Sequence, residues 1–277
     1  MSGERLEMAE LTEGGIVGDR AYALIDVETG KVVSAKSVRL FSRILDCKAR
    51  FVAPPQAGRA PPPVRIELPD GSQAVSEGGQ ADEALSDLFG RAVKLAHNAP
   101  VDFTIDQHHP DVEGADPFGH RNVTVQQKLG AAYFAEAGMP SPVAATAFFD
   151  LFPVTVITTS TLRRLAQLQP GSRFDSRRFR MNLVVETPEA GFVENDWVGR
   201  SLWIGRDGGV SVIISDPRCV MTTLPQGDLS QDTDIFRTLV QHNRLAVAGS
   251  GLFPCAGVYA VVTSASAIRI GDEVSRS

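Results

Sequence analysis

From residue 171 onward the chain is a succession of short runs rich in valine and isoleucine, punctuated by glycine, proline and aspartate. Such runs read as strands, because β-branched side chains suit a pleated, half-buried surface and crowd a helical turn. Asn182–Glu186, Leu202–Gly205, Val210–Ser215 and Val258–Thr263 are the clearest, and one helical stretch, Ile235–His242, interrupts them. Many short strands must hide their edges, so a closed or sandwiched β architecture is expected, mainly β with a few helices (α+β).

The upstream half carries the same signals more sparsely. Ala21–Asp26, the turn Glu28-Thr29-Gly30 and Lys31–Ala35 read as a strand, a turn and a return strand. Ala53–Pro63 is too rich in proline and glycine for an inner strand and is expected to be a loop. Val64–Leu68 is a strand candidate ended by Pro69-Asp70-Gly71, and Asp82–Phe89 a short helix with its apolar residues on one stripe. Residues 98–122, polar and rich in histidine, aspartate and proline, are expected to connect an N-terminal domain (1–97) to a C-terminal one (123–277). Within the latter, 123–137 is mixed, Val154–Ile157 is a strand, and Thr159–Leu168 is a helix stopped by Pro170-Gly171.

Composition excludes several classes of function. The net charge is −6 over 277 residues, opposite to the excess of Lys and Arg that nucleic acid or an anionic membrane requires. No run approaches the apolar length of a membrane helix, and the start, MSGERLEMAEL, has no apolar leader core. Three cysteines far apart, Cys47, Cys219 and Cys255, argue against a disulfide framework and fit a reducing cytoplasm. They also cannot supply the four thiolates of an ordinary iron–sulfur cluster.

Several motifs are weighed and set aside. Gly249-Ser250-Gly251 resembles a dinucleotide loop, but Pro254 and a strand follow where a helix is required. His108, His109, Asp111 and His120 could ligate a metal, yet no regular spacing fixes them, and a solvated loop is the preferred reading. Gly78-Gly79-Gln80 stands alone, with no basic RNA-binding face beside it. Cys47 and Cys255 lie in or near packed strands, where cysteine is commonly inert.

Cys219 differs. A strand ends at Ser215, Pro217 breaks it, and Arg218 adjoins the thiol. A neighbouring cation favours the thiolate, the form that attacks or binds metal. The alternative is a surface cysteine beside an unrelated arginine. A second cluster, Arg177-Arg178-Phe179-Arg180-Met181-Asn182, is either a solvated basic loop or an anion pocket, since guanidinium groups grip phosphate bidentately. Asn182 offers both donors and acceptors, as a heterocycle edge requires. Gly18-Asp19-Arg20 is a third candidate, a turn presenting Arg20.

Taken together, Arg178–Asn182, Trp197, Ile204-Gly205, Arg218-Cys219, Thr222-Thr223 and the ending Ile270-Gly271-Asp272-Glu273-Val274 resemble the MOSC domain. Gly18–Tyr22 and Val33–Lys36 are similar to the N-terminal β-barrel domain that accompanies many MOSC domains. The same pattern resembles the mitochondrial amidoxime-reducing component and its bacterial counterparts and, more distantly, the C-terminal part of molybdenum cofactor sulfurase. It implies a β-barrel MOSC domain and a smaller N-terminal β-rich domain. It also implies a molybdenum cofactor (molybdopterin), with Cys219 as metal ligand and catalytic centre. Asp150, Arg180 and Asn182 would lie against the pterin and Arg20 at the anionic end, with Lys36 and Arg218 as weaker carry-overs and Arg178 beside them. The implied reaction is two-electron reduction of N-hydroxylated or N-oxide small molecules, fed by a separate ferredoxin, flavoprotein or cytochrome. A Cys219 persulfide in a sulfur-transfer or cofactor-carrier protein is the alternative, and a scaffold with a degenerate pocket a third. The family's N-terminal domain usually opens with a strand ending in a Tyr-Pro-x-Lys-Ser-like motif, and this sequence is expected to lack that strand.

Overall fold

The computed structural model describes residues 1–276. The elements in order are strands β1 (Met8–Thr12), β2 (Gly15–Ile16), β3 (Ala23–Asp26), β4 (Lys48–Phe51), β5 (Val64–Glu67) and β6 (Gln73–Val75), then helix α1 (Gln80–Phe89). Next come β7 (Val93–Ala96), β8 (Thr104–His109), β9 (Val123–Lys128), α2 (Gly130–Glu136), β10 (Val154–Thr158), α3 (Thr159–Leu168), β11 (Leu183–Val185) and β12 (Ser201–Ile204). The chain closes with β13 (Gly208–Pro217), α4 (Asp234–His242), β14 (Arg244–Ala246), β15 (Leu252–Ser264), β16 (Ser266–Arg269) and β17 (Val274–Arg276). The class is mainly β.

Contacts group these elements into two compact units, each discontinuous in sequence. One comprises Met1–Glu4, Val17–His108 and Thr124–Leu151; the other comprises Arg5–Ile16, His109–Val123 and the chain from Phe152 onward. The contacts thus group the chain differently from the three segments read off the sequence. Met8–Thr12 pairs with Ser266–Arg269, which draws the N-terminal segment into the C-terminal unit.

The second unit is built on a nearly closed β-barrel sheet in the order β11-β10-β15-β13-β12-β17, with β14 paired to β15. Alternation sets its core. Val154 and Val156, Leu202 and Ile204, Val210 and Val212, and Val258 and Ala260 are next-but-one residues on their strands, and all fall in one buried cluster with Leu11, Trp197 and Ile268. Ile157 and Ala256 belong to a second cluster, with Leu165 of α3, Ile235 and Leu239 of α4, and Phe174 and Phe179. Each of the valine, leucine, isoleucine and phenylalanine side chains contributes on the order of 1.5–3 kcal/mol of burial. That outweighs propensity in helices as short as α3 and α4, which are marginal alone.

Ala256, Val258 and Ala260 share a parity, yet Ala256 joins the other cluster. The reason is a bulge. Ser215 pairs with Val258 and Pro217 with Cys255, so two steps on β13 face three on β15. Gly257, at φ +81°, absorbs the extra residue and reverses the pleat.

One polar network is sealed inside this unit. Glu194 is fully buried, and its Oε2 accepts from Thr158 Oγ1 (2.6 Å) and Thr161 Oγ1 (2.7 Å) at the start of α3. Burial pushes its carboxyl above the usual glutamate range. A raised native value means that the contribution to stability is whole below the ordinary glutamate range and is lost as pH rises through the native value. Glu194→Gln keeps an oxygen acceptor without the charge. Its stability advantage over the parent protein is therefore expected to grow as pH rises above the ordinary glutamate range in urea unfolding. A pH-independent difference would contradict a buried ionisable Glu194.

In the first unit β3 pairs with β7, β4-β5-β6 form a three-stranded sheet, and Val32, Ala99, Phe103, Ile105 and Phe148 pack as a core. Two expectations change here. Lys31–Ala35 returns beside β3 over a shorter stretch than expected: one antiparallel bridge, Ile25 to Val32, flanked by Asp26 N to Lys31 O (2.9 Å) and Val33 N to Leu24 O (2.8 Å), while the longer partner of β3 is the distant Val93–Ala96. Thr104–His109, inside the expected connection, is a strand with Ile105 and His109 buried. Its mix of polar residues hid that pattern.

Candidate functional site

Cys219 sits where β13 ends. Pro217 is the last residue paired with β15, and Arg218 N donates to Pro254 O at 2.8 Å. Cys219 then takes extended backbone (φ −129°, ψ −176°) and starts the 3-10 helix Val220–Thr223. Its carbonyl accepts from Thr222 N at 3.3 Å and Thr222 Oγ1 at 3.1 Å, while Thr223 Oγ1 donates to Val220 O at 2.7 Å. The two threonines legible in the sequence thus brace the turn that carries the cysteine.

The three thiols are free and differ in state. Cys47 and Cys255 are both 0% exposed, and Cys219 is half-buried. Burial, assisted by the Asp216 carboxylate, pushes Cys255 up to about 12, and burial also raises Cys47. A thiol held protonated is neither ligand nor nucleophile. Cys219 is the one thiol of the three that meets solvent.

The neighbouring arginines have separate roles. Arg178 was expected beside the cofactor; it is 1% exposed, and its guanidinium donates to four backbone carbonyls. These are Arg173 O (3.0 Å), Thr222 O (3.4 Å), Leu224 O (3.3 Å) and Ser230 O (2.8 Å). Two of them belong to the Cys219 turn or its end, so Arg178 holds that turn from behind. Arg218 donates to the Asp216 carboxylate and to Phe179 O, and its guanidinium lies 5.7 Å from the Phe179 ring centroid. It ties the end of β13 to the 3-10 helix Ser176–Phe179. Arg177 is held by Asp175 (2.7 Å) and Asp228 (2.7 Å), which draws it out of any anion pocket.

Arg180 and Asn182 follow that 3-10 helix. Arg180 has φ +55° and ψ +40°, left-handed backbone that costs a non-glycine residue on the order of 1–3 kcal/mol and clusters at functional sites. Asn182 Oδ1 accepts from Thr155 N and Thr155 Oγ1, both at 3.0 Å. Arg178, Arg180, Asn182, Arg218 and Cys219 thus lie in the second unit.

The first unit holds Arg20, Lys36 and Asp150. Lys36 is 7% exposed, and its Nζ meets Asp150 Oδ2 at 2.8 Å; Arg20 Nη1 lies 4.0 Å from Asp150 Oδ1. Arg20 also has positive φ, +49°. Its turn depends on Gly18, where a Cβ would meet Phe51 Cε2 at 2.8 Å. Among the described residues, two of the five non-glycine residues at positive φ are therefore arginines singled out on other grounds. Sequence reasoning missed the bulge glycine Gly257 and the buried braces made by Arg178; only the pairing of β13 with β15 reveals the first.

Gly249-Ser250-Gly251 lies between the paired strands β14 and β15, with no helix following. Among the described residues no helix is long and apolar enough to cross a membrane.

No curated protein matches the chain. Among solved structures, it is similar to the YUAD protein from Bacillus subtilis at 13% identity. That likeness covers 62% of this chain and 82% of the other with a TM-score of 0.37, too slight to carry an argument. The family model described as the MOSC domain matches residues 145–275, the stretch containing Asp150, Arg178, Arg180, Asn182, Arg218 and Cys219.

Proposed function

We propose that the protein is a molybdenum-cofactor-binding oxidoreductase that reduces N-hydroxylated or N-oxide substrates, with Cys219 as the thiolate ligand. The observation that carries the reading is the state of the three thiols within this chain. Two are sealed and held protonated, and the third stands at a braced strand end inside the stretch that matches the MOSC domain, a domain associated with molybdenum cofactor binding. The residues fit such a group: a thiolate is a competent metal ligand, and guanidinium groups suit the cofactor's phosphate. Bound, the cofactor would supply the two-electron chemistry, while the protein supplies binding, orientation and charge.

In this reading Cys219 is the protein ligand, and Arg178, with the Thr222-Thr223 pair, fixes its turn. Arg180 neutralises the cofactor's negative charge, and Asn182 offers its amide to the pterin edge. Arg20 and Lys36 are proposed for the anionic end, with Asp150 accepting pterin N–H groups. Cleaving one N–O bond consumes two electrons and two protons and releases the oxygen as water. Three thiols cannot build a four-thiolate cluster, so a separate redox protein is the proposed donor.

The test expresses the full chain in cells competent in cofactor synthesis, measures molybdenum and pterin in the purified protein, and offers benzamidoxime with a reduced dye. Stoichiometric molybdenum and amidine formation are expected. Metal-free, inactive protein would overturn the reading, and a Cys219 persulfide with only transient cofactor would point to sulfur transfer instead. Arg180→Gly sharpens the result. Glycine accepts left-handed backbone, so stability should hold or rise, while loss of a charge-assisted contact should weaken cofactor retention about tenfold to a hundredfold. Unchanged cofactor content would remove Arg180 from the site.

A further inference from the structure

The polar stretch between β8 and β9 holds a second constellation that the molybdenum reading does not use. His109, the last residue of β8, is 8% exposed. The turn that follows returns Asp116 and His120 to it: one nitrogen of each histidine and one carboxylate oxygen of Asp116 all lie within 4.8 Å of one another. His120 Nδ1 meets Asp116 Oδ2 at 2.7 Å, and His120 N donates to the same oxygen at 2.9 Å. The imidazole rings of His109 and His120 are 5.0 Å apart. Gly119, at φ +78°, makes the turn that closes the set. Asp111, singled out with these histidines in the sequence, is elsewhere: Arg121 Nε takes it at 2.8 Å. Asp116, which the sequence did not single out, stands in its place.

A simple ion pair would need only Asp116 and His120. Here a second imidazole, itself buried, is brought to the same point, and the Asp116 side chain is only 5% exposed. His120 is the open side, its side chain 38% exposed. We infer that His109, Asp116 and His120 form a binding site for a divalent transition-metal ion, with zinc as its representative. Two imidazoles and one carboxylate suit zinc and its first-row neighbours; calcium and magnesium prefer all-oxygen sets, and copper(I) prefers sulfur. Donors held about 2.0–2.1 Å from one zinc stand roughly 3.3 Å apart at tetrahedral angles, so the widest pair would close by roughly 1.5 Å. The His120–Asp116 pair would open slightly, as the dication replaces the proton now shared between them. Three protein ligands leave one position open to water.

The site can be tested on the full chain, stripped with chelator and titrated with zinc chloride, with bound metal counted after dialysis. The parent protein and Cys219→Ser should each bind about one equivalent. His120→Ala, at the exposed ligand, should weaken binding by about a hundredfold or more while leaving the unfolding midpoint of the metal-free protein nearly unchanged. Cobalt(II) in place of zinc should give visible d–d bands with no thiolate-to-metal band in the near ultraviolet. Absence of stoichiometric binding, binding that survives His120→Ala, or a thiolate band would each overturn the assignment. His109→Ala is the weaker variant, because that ring is buried and its loss alone could disturb the fold.

Discussion

Cys219→Ser is expected to give a folded protein that retains no molybdenum and reduces no benzamidoxime. The side chain is half-buried at the head of a 3-10 turn, and the turn's hydrogen bonds use the Cys219 carbonyl and leave its sulfur alone. Serine preserves that backbone and nearly the same volume, so stability should change by no more than about 1 kcal/mol. The chemistry changes far more, since a hard hydroxyl that stays protonated replaces a soft sulfur. Even partners that only orient a ligand are worth about 10–100-fold in metal affinity, and removing the ligand should exceed that range. Metal analysis and dye-coupled turnover on matched preparations read the outcome, with Cys255→Ala as the companion. That thiol is sealed and pushed up to about 12, so its removal should affect packing and leave metal content per folded molecule unchanged. Molybdenum retained by Cys219→Ser would end the proposal that Cys219 is the ligand.

Gly257→Ala is expected to be the most damaging single-methyl change in the second unit. At φ +81° an alanine is strained by on the order of 1–3 kcal/mol. The added Cβ would also stand 2.6 Å from Val156 O, a backbone atom of the neighbouring strand, and would meet Met181 Cε. Methionine can swing aside, but β10 cannot move without disturbing the core around Val154, Val156 and Val258. Overpacking of this kind adds about 1–3 kcal/mol, for a total loss of about 2–6 kcal/mol in urea unfolding. The same bulge sets where β13 releases Arg218 and Cys219, so cofactor retention should fall in the fraction that still folds. A loss below about 1 kcal/mol would show that the bulge is not the constraint described.

How much of this was legible in the sequence depends on the range of the interactions. Helix α3 runs over Thr159–Leu168 as periodicity and Pro170-Gly171 imply, because both signals are local. The valine-rich runs became β10, β12, β13 and β15, because alternation within a strand needs no knowledge of its partner. Lys31–Ala35 was legible as a return beside Ala23–Asp26 but not in its extent, and the longer partner of that strand, Val93–Ala96, lies too far along the chain for a local pattern to show. Arg178 looked like a ligand because a guanidinium in a basic run has the same letter whether it faces an anion or four carbonyls.

The sequence by itself determined the class of the fold, the position of Cys219 after a broken strand and the pair of threonines beside it, all consequences of neighbours within a few residues. Tertiary structure alone decided which thiols are sealed, that Arg178 braces the Cys219 turn, that Gly257 bends β15 opposite the end of β13, and that Asp116 joins His109 and His120. Burial, register and convergence are set by what packs against a segment from far along the chain, and a linear pattern does not encode that contact.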